Sequence, residues 1–179
     1  AVTPRLRGNL TGNQQERPNN STGDTAPNQQ TQTHYRADAD YEVDGLLHVV
    51  GGASQDKVSN QNAVTAGQEY RSHALDAGIR YNRPSGSYVQ LRLKATDGTY
   101  LRPPSNPTEA IDNKFSQIDN ALQVHWSIGS ASSADFNATA FQRSHPVYGQ
   151  RDFSGLHWGG SLNGSVSAKT AWNVGYQHE

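Results

Sequence analysis

Apolar and polar residues alternate with a period of two along most of this chain, and runs with helical spacing are scarce. In the stretch 72–81, His73, Leu75, Ala77, Ile79 and Tyr81 share one face, while Ser72, Ala74, Asp76, Gly78 and Arg80 share the other. The next stretch sets Val89, Leu91, Leu93 and Ala95 against Tyr88, Gln90, Arg92 and Lys94. Further along, Ile118, Leu122, Val124, Trp126 and Ile128 oppose Gln117, Asp119, Gln123, His125 and Ser127. Earlier, Tyr35, Ala37, Ala39, Tyr41 and Val43 oppose Arg36, Asp38, Asp40 and Glu42, and near the end Trp172, Val174 and Tyr176 oppose Asn173, Gly175 and Gln177. Weaker copies run through Leu6 and Leu10, through Leu47, Val49 and Gly51, through Phe136, Ala138 and Ala140, and through Leu156, Trp158, Gly160 and Leu162. The pattern predicts an all-β protein of about nine strands.

The connections alternate short and long. Asp44-Gly45, Arg83-Pro84-Ser85-Gly86 and Gly129-Ser130 suit tight hairpins. For the last hairpin, Asn163-Gly164 and Ser167-Ala168-Lys169 compete, and the second lets the strand match its neighbours in length. Polar loops are expected over 15–32, 54–67, 97–113 and 144–150. An antiparallel up-and-down meander then carries its short turns at one end and its long loops at the other. That is the layout of a whole or partial outer-membrane-type β-barrel, with apolar residues outward, polar residues inward and aromatic girdles at both interfaces. Strands of roughly 10–14 residues meet the spanning requirement. Tyr35, Tyr41, Tyr81, Tyr88, Tyr100, Trp126, Trp158, Trp172 and Tyr176 are the girdle candidates.

At 179 residues, the chain suits one domain over 1–179. Apolar residues are 33% and charged residues 17%, so the low mean hydropathy of −0.82 comes from neutral Asn, Gln, Ser, Thr and Gly. That composition is unlike the charge-rich one of disordered chains. A net charge of −1 provides no basic footprint for a nucleic-acid backbone. Zero Cys excludes disulfides, thiolate catalysis and Cys-ligated metal sites. The chain starts at Ala1 and has no Met, which points to a processed or excised product.

Little points to catalysis. The seven His form no HExxH motif or tight cluster, so no metal or other cofactor is expected. Nucleophilic hydrolases carry a Gly-x-Ser-x-Gly elbow, and none occurs here. Asp38, Asp40 and Glu42 share one face, an arrangement that could serve a glycan-cleaving enzyme if a second carboxylate faced them across a cleft. The favoured reading is neutralisation by Arg36 and by Arg71, Arg80, Arg92 and Lys94 from other strands. With Gln123, these residues form the candidate lining of a polar interior suited to hydrated sugar chains, salt and water. Gly51-Gly52 and Gly159-Gly160 read as strand bends or as space for a neighbouring side chain.

The segments Arg151-Asp152-Phe153-Ser154-Gly155-Leu156 and Ser167-Ala168-Lys169-Thr170-Ala171-Trp172-Asn173-Val174-Gly175-Tyr176, with Thr3-Pro4-Arg5-Leu6, resemble recurrent hairpins of β-barrel porins encoded with bacterial extracellular-polysaccharide genes, particularly the exosortase-associated kind. The resemblance implies a non-enzymatic outer-membrane protein serving exopolysaccharide biosynthesis or export. It also implies polysaccharide, outer-membrane lipid and other export proteins as partners. Nine is an odd number, whereas single-chain bacterial barrels usually have an even one. The expectation is therefore part of a larger barrel, or a sheet that closes by pairing with a second copy. The alternative is a soluble or cell-surface β-sandwich that binds carbohydrate on Trp126, Trp158 or Trp172, with its apolar faces packed on one another.

Overall fold

Each alternating stretch is a strand in the computed structural model, which describes residues 5–18, 29–60, 69–101, 113–147, 149–167 and 170–178. The strands are β1 (Leu6–Pro18), β2 (Gln29–Glu42), β3 (Leu47–Asn60), β4 (Tyr70–Asn82), β5 (Tyr88–Tyr100), β6 (Lys114–Ile128), β7 (Ser132–Ser144), β8 (Phe153–Ser167) and β9 (Thr170–His178). They form one antiparallel sheet in the order of the chain, an up-and-down meander. β1 and β9 are its edges and do not pair, so the sheet is open rather than closed into a barrel.

The turns between strands follow from local chemistry. Gly45, Gly86 and Gly129 each take positive φ, at 75°, 87° and 66°, in the three tight connections. A Cβ disfavours that region and glycine does not. Ser167 pairs with Thr170, and Asn163-Gly164 lies inside β8. The long connections are shorter than the sequence suggests. The polar run Ser54 to Asn60 continues β3 instead of opening a loop, pairing with Gln30 to Arg36 on one side and, from Ser54 to Val58, with β4 on the other. Alternation vanishes there because both faces are polar, whereas the backbone ladder needs no apolar side chain to persist. A short 3-10 turn at Gly149–Arg151 also interrupts the connection between β7 and β8.

The two faces of the sheet are inverted relative to a water-soluble protein. Leu75, Ile79, Leu91, Leu93, Ile118 and Trp126 lie on the exposed face, with Leu75 68% and Trp126 62% accessible. On the opposite face Ser72, Ala74 and Asp76 are buried. The buried apolar side chains among the described residues, Val50, Val58, Ala74 and Phe115, all stand on this second, inner face. A β-sandwich would have packed the apolar face against a second sheet, yet all nine strands belong to one. The inner face is sheltered by curvature. Arg92 on β5 comes within 3.8 Å of Asp38 on β2, although three strand spacings, roughly 14 Å, separate those strands.

The outer face carries a continuous band in register. Leu6, Tyr41, Val49, Ile79, Leu91, Leu122, Ala138 and Trp158 pair strand to strand across almost the whole sheet. Toward the long-loop end the outward row becomes Gln55, His73, Asp97, Ser116 and Ser144, and the band ends. Tyr35, Tyr41, Tyr81, Trp126, Trp158, Trp172 and Tyr176 face outward with it, all but Trp158 more than two-fifths exposed. Tyr88 and Tyr100 do not. They alternate with Val89 and Leu91 and so stand on the inner face, where Tyr88 stacks on His125 at 5.5 Å and Tyr100 tilts against Phe115 at 5.6 Å.

Candidate functional site: the inner face

Strands β2 to β5 present an ion-pair ladder to the inside of the curve. Arg36 on β2 donates from Nε and Nη2 to Asp38, at 2.6–2.9 Å. Its Nη2 also reaches Asp76 Oδ1 on β4 at 2.9 Å. Arg92 Nη1 approaches the other carboxylate oxygen of Asp76 at 3.0 Å. That contact lacks hydrogen-bond alignment, and the Arg92 Nε–H has no acceptor among the described residues. Asp40, one inward step further along β2, binds Arg80 from β4 and His48 from β3, the latter at 2.6 Å. Three aspartates and three arginines therefore balance charge for charge, which is what makes burying the Asp76 side chain to 2% accessibility tolerable.

The strand between the partners makes this reach possible. Gly52 on β3 sits in register between Asp38 and Asp76. A Cβ there would lie 2.8 Å from Arg36 Nη2 and 2.9 Å from Asp38 Oδ1, so the missing side chain is the passage through which the guanidinium crosses the sheet. Gly52 is thus space for a neighbouring side chain, one of the two roles its sequence context suggests.

The candidate lining residues divide. Arg36, Asp38, Asp40, Arg80 and Arg92 join in the ladder. Glu42 shares the inner face opposite His48, and Lys94 shares it opposite Asp119, outside the network of ion pairs. Gln123 also faces inward, but on β6 between Gln90 and Asn137. Arg71 is a correction: it alternates with Ser72 and shares the outer face with His73 and Leu75, exposed and directed away from the carboxylates. Asp76, His48 and Gly52 are the residues that sequence alone leaves out. The usable signal for Asp76 was its parity with Arg80 on the same strand, whereas His48 and Gly52 matter only through cross-strand register.

The long-loop end of the inner face is filled by rings and cations. Phe115 is buried, with the Arg143 guanidinium 4.4 Å above its ring and Tyr70, Tyr100 and His145 around it. Gly98 lies directly beneath Phe115, which would occupy the place of any Cβ. Arg143 also sits 5.3 Å from the Phe153 ring, and Arg151 5.9 Å from Tyr100. Arginine over an aromatic face is favourable, more so when partly desolvated. Nearby, Glu69 accepts the Asn60 N–H at 2.9 Å.

The inner face also carries four His–Asp pairs, His34–Asp56, His48–Asp40, His125–Asp135 and His145–Asp152. Among the described residues no three His, Asp or Glu side chains are grouped to hold a metal ion. No described helix is long and apolar enough to cross a membrane, which has no bearing on crossing by strands.

Apolar side chains outside and paired charges inside a single curved antiparallel layer define the class of sheet this is. No protein-family model matches the chain, and no curated protein matches it.

Proposed function

We propose that this chain forms wall strands of a β-barrel in the bacterial outer membrane and assists extracellular-polysaccharide biosynthesis or export, its inner face lining a hydrated path. The observation that carries this reading is the inversion of the two faces. Each large aliphatic or aromatic side chain left in water forgoes about 1.5–3 kcal/mol, and the outer face exposes a whole band of them in register. Hydrocarbon removes that cost, and the polar inner face then meets water and solute. The ladder supports a lining without enzymatic chemistry, because Asp38, Asp40 and Asp76 are each held by a guanidinium, and Asp40 by an imidazole as well. The polysaccharide cargo rests on the resemblance of the β8–β9 hairpin and on the neutral hydrogen-bonding groups of the inner face. Outer-membrane lipid, export proteins and a second copy of the chain are the expected partners.

The test is partition of the refolded protein between lipid vesicles and plain buffer, with particle mass from light scattering. Stable insertion with heat-modifiable gel migration is expected. A monodisperse monomer without detergent overturns the membrane reading and favours a soluble carbohydrate-binding sheet.

A further inference from the structure

The inner face is chemically divided. Its ion pairs crowd onto β2–β5, while β8 and β9 contain no Asp, Glu, Lys or Arg at all. On β7 the inward residues between Asp135 and Arg143 are Asn137, Thr139 and Phe141, and on β6 Asp119 faces inward opposite Phe141, accepting from the Gln117 amide at 2.6 Å. Asp135 hydrogen-bonds with His125 at 2.6 Å and accepts from the Asn163 amide at 3.1 Å, while its side chain stays 43% accessible.

The polar groups of the two halves also differ in availability. In the ladder the carboxylates and guanidinium groups are engaged with one another. In the β6–β9 half, Gln123 and Asn137 stand opposite each other, with Thr139 one inward step further along β7, and their side chains make no hydrogen bond among the described residues. Next to them His157, exposed and in register with Thr139, stacks on Phe141 with ring centroids 4.7 Å apart and planes 8° from parallel. Beside Asn137 lies a shallow depression of about 420 Å³ lined by Asp135, Gly159, Ser161, Gly175 and Gln177. Free amide and hydroxyl groups beside a flat ring pair, bordered by the carboxylates of Asp119 and Asp135, match an uncharged sugar: its hydroxyls take the hydrogen bonds and its C–H face packs on the ring.

We infer that the glycan-contacting surface is this β6–β9 half, read by Gln123, Asn137, Thr139 and His157, and that it selects neutral over anionic chains. The inference rests on the inner face being the lining of the path proposed above. The charged ladder is then a structural partition of the barrel wall and not the sugar site.

The test uses the vesicle-inserted protein, titrated with maltohexaose as the neutral probe and with hexagalacturonate as the anionic one, followed by saturation-transfer NMR. Maltohexaose is expected to bind at least about tenfold more tightly than hexagalacturonate, since the carboxylates of Asp119 and Asp135 border this surface and the Arg143 guanidinium is engaged by Gln117 and the Phe115 ring. His157→Ala and the double variant Q123A/N137A should each weaken maltohexaose at least about fivefold, while Arg71→Gln on the outer face leaves it unchanged. Heat-modifiable migration of each variant reports folding separately. Equal binding of the two probes, or maltohexaose binding kept in both His157→Ala and Q123A/N137A, overturns the inference. Insertion into vesicles with neither probe bound also overturns it and leaves the membrane reading standing, whereas failure to insert counts against the membrane reading itself.

Discussion

Asp76 is the side chain on which the inner face depends. It is almost fully buried, and it touches two guanidinium groups that come from strands on either side of its own. Removing one partner of a buried ion pair leaves the remaining charges uncompensated, at about 3–5 kcal/mol. Arg36 and Arg92 keep about a fifth to a quarter of their side chains accessible, which lowers that figure here. Asp76→Ala should therefore cost about 2–3 kcal/mol in urea unfolding from vesicles, and a cost near zero would show that the ladder is not coupled. Gly98 offers a second test of packing. Any side chain there must displace the Phe115 ring, so Gly98→Leu should destabilise by about 1–3 kcal/mol and quench protection of the Tyr100 amide from exchange. Neither dependence is visible in sequence, where Asp76 is one acid among several and Gly98 one glycine beside Asp97.

For the strands, the decisive question is which face meets lipid. On β5, Leu91 points outward and Gln90 inward, one residue apart. An arginine near the middle of a lipid-facing band costs about 2–4 kcal/mol, while a lumen substitution mainly tunes selectivity. Leu91→Arg should thus lose that amount of stability in vesicles and Gln90→Arg should lose less than about 0.5 kcal/mol. Equal effects of the two would remove the assignment of faces. The strand cores were legible because alternation was complete, as in β4 and β5. Strand ends were not: β1 continues to Pro18, β2 begins at Gln29 and β3 reaches Asn60, through residues whose two faces are both polar. Arg71, by contrast, stands two residues from His73, so the alternation of its own strand already assigned it to the outer face, and its pairing with Lys57 and Thr99 agrees.

In the whole molecule the open edges carry the largest consequence. β1 and β9 both have odd places in an antiparallel meander, so they run in the same direction. Joined to each other, or to the edges of a second copy inserted in the same orientation, they would make parallel seams; an odd number of further strands makes every seam antiparallel. One of these closures is required in hydrocarbon, where each unpaired backbone N–H or C=O costs several kcal/mol. Amide exchange of vesicle-inserted protein should accordingly show β1 and β9 protected as well as β4 and β5. Edge amides that exchange within seconds would mean a sheet that stays open and is therefore not embedded in lipid.

The alternation of side chains around Leu75, Leu91 and Val124, and the glycines of the tight turns, are local properties of the chain, because a strand's period and a turn's backbone angles depend on the residues themselves. They were enough to specify nine antiparallel strands, their order and the ends at which turns and loops collect. Which face would be sheltered was not local. An alternating strand reads the same whether its apolar side meets lipid, a second sheet or another subunit. The burial of Asp76 between Arg36 and Arg92, the passage over Gly52 and the stacking of His157 on Phe141 arise only when separate strands are brought into register and the sheet curves, since each joins residues from different strands through space.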